Sequence, residues 1–131
     1  MNNRIYLKAE DLPRQWYNVA ADVKQHLAPP IDPGTGKPLD PSKLLAIFPE
    51  ALVEQEASVD RWVDIPEPVL EQLAVWRPSP LFRALQLEKF LQTPARIYYK
   101  YEGGSPPGSH KPNTAIAQAY YNKQAGTKRL T

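Results

Sequence analysis

Short apolar runs with a helical or strand period alternate along this chain with stretches broken by proline and glycine. Arg4–Leu7 reads as a short strand, and Leu12–Tyr17 as a turn whose aromatic side chains need cover. Val19, Val23 and Leu27 recur at four-residue steps and predict a short helix within Asn18–Leu27. Ala28–Pro38 keeps neither period and reads as an ordered surface loop, with no Pro-x-x-Pro ligand standing out from it. Asp40 and Pro41 suit an N-cap and a first helical position, opening a helix through Leu44, Leu45, Ile47 and Phe48. Pro49 starts a second helix over Glu50–Ala57, and the Leu44–Val53 face reads as core or interface. Trp62–Pro68 is extended, because prolines restrict the residues before them. Val69, Leu70, Leu73 and Trp76 then share one helix face.

Arg77–Leu81 carries two prolines and predicts an extended connector. Arg83–Gln92 is amphipathic, with Ala84, Leu87, Phe90 and Leu91 on one face and Gln86, Glu88 and Lys89 toward water. Thr93 and Pro94 end it. In the strand-like run Arg96–Tyr101, Ile97, Tyr99 and Tyr101 fall on one face, and Tyr98 and Lys100 on the other. Gly103, Gly104, Pro106, Pro107 and Gly108 break regular structure. A last helix takes Pro112 in its first turn, continues through Ala115, Ile116, Ala119, Tyr120 and Lys123, and stops at Gly126. Helix, strand, loop and helix in this order predict the α/β class.

The 131 residues amount to one domain's worth of chain with a modest core. A balance of 16 basic against 14 acidic residues gives no electrostatic reason to expect nucleic acid or a membrane surface as partner. The tyrosines, which could otherwise suggest stacking of single-stranded bases, alternate as core and interface residues instead. There is no cysteine, hence no disulfide and no thiolate chemistry. His26 and His110 are too far apart in sequence to suggest a metal site. No secretory leader and no run of about 20 apolar residues is visible, so a soluble, cytoplasmic protein is expected. Seven of the 15 prolines precede residue 50, which favours an extended, wrapping N-terminal part.

The candidate chemistry sits where the glycine-rich loop becomes the last helix, at Lys111. A free lysine amine is protonated at neutral pH and is not a nucleophile. The positive end of a helix dipole works against that charge, and the same helix start attracts a phosphate. A carbonyl cofactor that carries a phosphate requires such a pairing, and pyridoxal phosphate is held in this way as a Schiff base. The alternative on spacing alone is a solvated lysine beside a helix start. A nucleotide P-loop is excluded: Gly103 and Gly108 have its first spacing, but Ser109 and His110 intervene before Lys111. Pro106 and Pro107 also lack the N–H groups of a phosphate nest. Adjacent Ser109 and His110 do not make a triad.

Gly108-Ser109-His110-Lys111-Pro112-Asn113-Thr114-Ala115, followed by Gln118-Ala119, resembles the Schiff-base-lysine segment of tryptophan synthase beta chains. Arg77-Pro78-Ser79-Pro80-Leu81 is similar to that family's Arg-Pro-Thr-Pro-Leu motif, and the spacing between the two segments fits. Ile97-Tyr98-Tyr99-Lys100-Tyr101-Glu102-Gly103 resembles the strand and turn between them, and the pattern favours the second, more divergent type of beta chain. The family usually has Thr where Pro107 stands, and Ile or Leu where Pro112 stands. The likeness is specific over Trp76–Thr131 and weaker before it.

The resemblance implies an α/β chain forming the N-terminal part of a fold type II pyridoxal-phosphate enzyme, with helices and an incomplete parallel βαβ unit. Residues 1–75 would be a proline-rich N-terminal extension, and 76–131 the start of the catalytic domain. Lys111 would be catalytic and form the Schiff base with pyridoxal 5'-phosphate. His110, Asn113 and Gln118 would join it in binding the cofactor, His110 against phosphate and ring and the other two on the supporting helix. The reaction implied joins L-serine and indole to give L-tryptophan and water. Serine or threonine elimination ranks lower, since those relatives carry Ser-x-Lys around the lysine. The family's catalytic carboxylate and phosphate loop lie further along the chain than residue 131. The chain is therefore expected to be a truncated product, a fragment or one half of a split enzyme, inactive alone. The partners implied are a second copy as a homodimer or a complementing C-terminal chain, with a weak tryptophan synthase alpha partner, and neither nucleic acid nor membrane.

Overall fold

A computed structural model of the chain describes residues 3–24 and 28–130. In chain order its regular elements are β1 (Arg4–Ile5), β2 (Gln15–Tyr17), α1 (Pro41–Leu45), α2 (Glu50–Ala57), β3 (Trp62–Asp64), α3 (Glu67–Leu73), β4 (Leu81–Arg83), α4 (Leu85–Phe90), β5 (Tyr98–Lys100) and α5 (Pro112–Gln124). Single 3-10 turns lie at Ala9–Asp11, Val19–Ala21 and Glu102–Gly104. The mixture of helix and strand is compatible with the α/β class. The chain divides into two compact units, one of the residues up to Pro13 with Glu67–Ile116, the other of Arg14–Pro66 with the residues from Ala117 on.

The first unit is built on a three-stranded sheet in the order β1–β4–β5, antiparallel throughout. Phe82 pairs with Tyr99 across β4 and β5, and their rings stack at 5.6 Å. Tyr101 meets Phe82 edge-on, also at 5.6 Å, so Tyr99 and Tyr101 share the face that strand alternation assigns them. The Arg4 guanidinium lies 5.3 Å from the same Phe82 ring. Val69, Leu70 and Leu73 form the buried face of α3, Val69 being only 1% exposed. The Arg77–Pro78 bond that follows is cis.

Two expectations change in this unit. Leu81–Arg83, read from the sequence as the end of a connector and the start of a helix, is instead the central strand, held by partners on both sides. The helix that follows is shorter, and its faces differ from the amphipathic reading. Phe90 is 83% exposed, whereas Glu88 turns inward. Glu88 accepts from Arg83 Nε at 3.0 Å and Nη2 at 2.9 Å, and from the Ile97 amide at 2.8 Å. The Arg83 hydrogen bond first, and the Ile97 amide after it, hold the Glu88 carboxyl below the usual range.

The second unit carries the antiparallel pair β2–β3, with Tyr17 and Trp62 in register and their rings 5.2 Å apart. The Asp40 side chain accepts from the Ser42 amide at 2.9 Å and Pro41 occupies the first turn of α1, as the sequence predicts. α2 also has its predicted bounds. Asp32 organises the proline-rich loop: its side chain accepts from Gly34 N at 2.8 Å and ion-pairs with Lys43. Of the helix predicted over Asn18–Leu27, the described part is the 3-10 turn Val19–Ala21, capped by Asn18. Residues 25–27, and with them His26, lie outside the described residues.

α5 begins in the first unit, and its residues from Ala117 on belong to the second. It ends at Gly126 with φ +79°. The Thr127 amide donates to the Asn122 carbonyl and the Gly126 amide to the Lys123 carbonyl, each at 3.0 Å, which closes the helix as a Schellman turn. Residues 125–130 then run without a strand. The parallel βαβ unit expected there is not among the described pairings, all of which are antiparallel.

Candidate functional site

The loop leading to Lys111 is fixed by its own side chains. Ser105 is 5% exposed. Its hydroxyl donates to the Ser109 carbonyl at 2.6 Å and accepts from the Ser109 amide at 3.0 Å, a two-way clasp across the turn. The Gly108 amide donates to the Ser105 carbonyl at 2.8 Å, and Gly108 takes φ +67°, a conformation that favours glycine. His110 and Lys111 emerge exposed from this turn. The Lys111 ammonium has no hydrogen bond or ion pair among the described residues.

The helix start is more occupied than the sequence pattern suggests. The amides of Asn113, Thr114 and Ala115 donate to the carbonyls of His110 and Lys111 at 3.0–3.1 Å, and Pro112 has no N–H. The donors expected there for a phosphate are therefore committed to the chain's own turn.

At Asn113, two residues past the lysine, the helix start joins a polar cluster that the sequence reading does not identify as a site. Glu102, at the end of β5, accepts from Ser79 Oγ at 2.8 Å and from Asn113 Nδ2 at 3.2 Å. Lys100 Nζ donates to the Ser79 carbonyl. Burial pushes the Glu102 carboxyl up, but the hydrogen bonds from Ser79 and Asn113, with the charges of Arg77 and Lys100, outweigh it and hold it below the usual range. Among the described residues, three side-chain atoms of this unit are buried without a hydrogen-bond partner: Trp76 Nε1, Arg77 Nε and Asn113 Oδ1. The one sequence signal for the cluster is an acidic residue set directly after a strand, opposite a serine held between two prolines.

Lys111, His110 and Asn113 thus lie within one short stretch of the first unit, whereas Gln118 belongs to the second. There Gln118 lines an open apolar cavity of about 520 Å³ with Trp16, Tyr17, Leu44, Phe48 and Leu52. Among the described residues no cluster of three or more His, Cys, Asp or Glu side chains is placed to hold a metal ion. No helix is long and apolar enough to cross a membrane.

The site thus presents an exposed lysine amine at a braced loop-to-helix junction. Comparison with known proteins places the chain. No family model matches the chain. Curated proteins do match it. A tryptophan synthase beta chain 2 of Thermotoga maritima is 64% identical over 96% of this chain and 30% of its own length. A tryptophan synthase beta chain of Pseudothermotoga lettingae is 62% identical over 99% of this chain and 31% of its own. The tryptophan synthase beta chain 2 of Aquifex aeolicus is 58% identical over 98% of this chain and 30% of its own. The chain corresponds in sequence to the N-terminal portion of tryptophan synthase beta chains, and spans about 30% of the length of these relatives.

Proposed function

We propose that this chain supplies the lysine-bearing segment of a pyridoxal-phosphate-dependent lyase of the tryptophan synthase beta type, which joins L-serine and indole into L-tryptophan with loss of water. Residues 76–131 would begin its catalytic domain, and 1–75 its N-terminal extension. The observation that carries this reading is the 64% identity to a tryptophan synthase beta chain 2 over 96% of this chain, and the structure agrees with it in presenting Lys111 accessibly after the Ser105–Ser109 clasp at the start of α5. The residues fit one end of the cofactor. Lys111 offers the amine that would attach it, His110 is the exposed residue directly before it in the chain, and Asn113 Oδ1 is a buried acceptor still without a partner. Gln118 belongs to the supporting helix. The committed amides at the helix start leave the phosphate to residues beyond this portion.

Pyridoxal phosphate, when bound, supplies an electron sink for the charge that develops at the α-carbon of serine. The chain's own share is positional and protonic. Lys111 Nζ would be the amine that holds the cofactor and would take and return the proton at the α-carbon of serine. The loop from Glu102 to His110 fixes the backbone from which that amine reaches.

A second observation favours action together with a further polypeptide. Among the described residues the buried hydrophobic side chains are Ile65, Val69, Leu70, Leu73 and Ala117, a small core, while Ile47, Val59 and Phe90 are 73%, 82% and 83% exposed. The chain alone is expected to make no tryptophan. Mixed with a polypeptide covering the remaining length of the Thermotoga maritima relative, it is expected to convert indole and L-serine to tryptophan, and Lys111→Ala to abolish the conversion. Turnover that survives Lys111→Ala refutes the assignment.

A further inference from the structure

Glu102 has no contact with the Lys111 amine, yet it joins the connector before β4 to the first turn of α5. It takes a hydroxyl proton from Ser79 in the connector between α3 and β4, and an amide proton from Asn113, two residues past Lys111. Asn113 is in turn tied to the turn that presents the lysine, its amide donating to the His110 carbonyl at 3.1 Å. A carboxylate only accepts, so it selects one orientation of the Asn113 amide group. Nδ2 faces Glu102, and Oδ1 is left as the buried, unpartnered acceptor. Arg77 and Lys100 are the charges that face this carboxylate from the connector and from β5.

We infer that Glu102 is a positioning residue for Lys111, acting through Asn113: its carboxylate locks the first turn of α5 and sets the asparagine amide, so that Lys111 and the Asn113 carbonyl oxygen are held ready for the same ligand. The inference rests on the proposed attachment of pyridoxal phosphate at Lys111 and assigns a role that spacing around the lysine does not reveal. It differs from a scaffold role in one respect. It requires the polarity of the Glu102–Asn113 pair, a donor facing a carboxylate, and not merely packing at those positions.

The test uses the full 131-residue chain, pyridoxal phosphate and cyanoborohydride, with pyridoxyl-Lys111 quantified by mass spectrometry across pH and folding followed by circular dichroism. Glu102→Gln and Asn113→Asp are each expected to lower Lys111 labelling at neutral pH, by about tenfold on the scale of a lost charge-assisted hydrogen bond. In Asn113→Asp two carboxylates face each other, so labelling should recover toward acid pH, where the pair shares a proton. The double variant Glu102→Gln/Asn113→Asp rebuilds the pair in reverse and is expected to restore labelling at neutral pH, a coupling that additive structural damage does not produce. Wild-type labelling with single variants that label equally well overturns the inference and leaves the Lys111 assignment standing. A folded double variant that labels no better than the singles overturns it as well. A wild-type chain unlabelled at Lys111 overturns the assignment and this inference together.

Discussion

At Lys111 the proposed chemistry needs exposure, and at Glu102 it needs enclosure. The loop provides both within ten residues, because prolines and glycines let it turn outward while the end of β5 stays against the connector. Glu88 shows the same physics in a structural role. Its carboxyl is held below the usual range by Arg83, so the stability it contributes is present above the pH at which an unfolded glutamate titrates, about 4.3, and is lost as pH falls through that value toward the folded one. Thermal melts between pH 7 and about pH 3 should therefore show Tm falling more steeply in the wild type than in Glu88→Gln. Parallel curves would remove Glu88 from the acid response. The comparison between variants matters because Asp32, Asp40 and Glu102 are also held low and contribute to the same acid loss.

Among the elements, α3 carries the tightest packing of the first unit, whereas α4 has no buried residue. Leu73→Ala, at a position 4% exposed, is expected to cost about 2–5 kcal/mol in urea unfolding. Phe90→Ser should stay within about 0.5 kcal/mol, and a large loss there would mean that the exposed face of α4 is covered in solution. The contrast explains what was legible in the sequence. α2, α5 and the start of α1 were readable because they are written locally, in Asp40, Pro41, Pro49, Pro112 and Gly126, whereas α1 stops at Leu45 and does not run on through Ile47 and Phe48. β4 was not readable. Three residues after Pro80, with no strand period of their own, become a strand because β1 and β5, separate in sequence, pair with them. Glu88 was misread for a related reason: helical periodicity treats a charged residue as water-facing, and its partners Arg83 and Ile97 lie outside α4. Of the candidate site, Lys111 was legible from local spacing. The Ser79–Glu102–Asn113 cluster was not, since it exists only once three separate segments meet.

For the molecule as a whole, the decisive facts are relatedness to tryptophan synthase beta chains over nearly its full length, and coverage of about 30% of theirs. Apolar side chains stand exposed in both units, Val59 in one and Phe90 in the other. Lys111 stands exposed at the start of α5, and the amides of Asn113, Thr114 and Ala115 there are already used by the chain's own turn. A chain with these properties is expected to attach the cofactor at one amine and to rely on further residues to hold the rest of it. The most direct measurement is reductive trapping: incubate the 131-residue chain with pyridoxal phosphate, reduce with borohydride, and map the labelled peptide by mass spectrometry beside Lys111→Ala. The expected result is stoichiometric, selective label on Lys111 that vanishes in the variant. Label scattered over surface lysines, and unchanged in Lys111→Ala, would contradict the assignment.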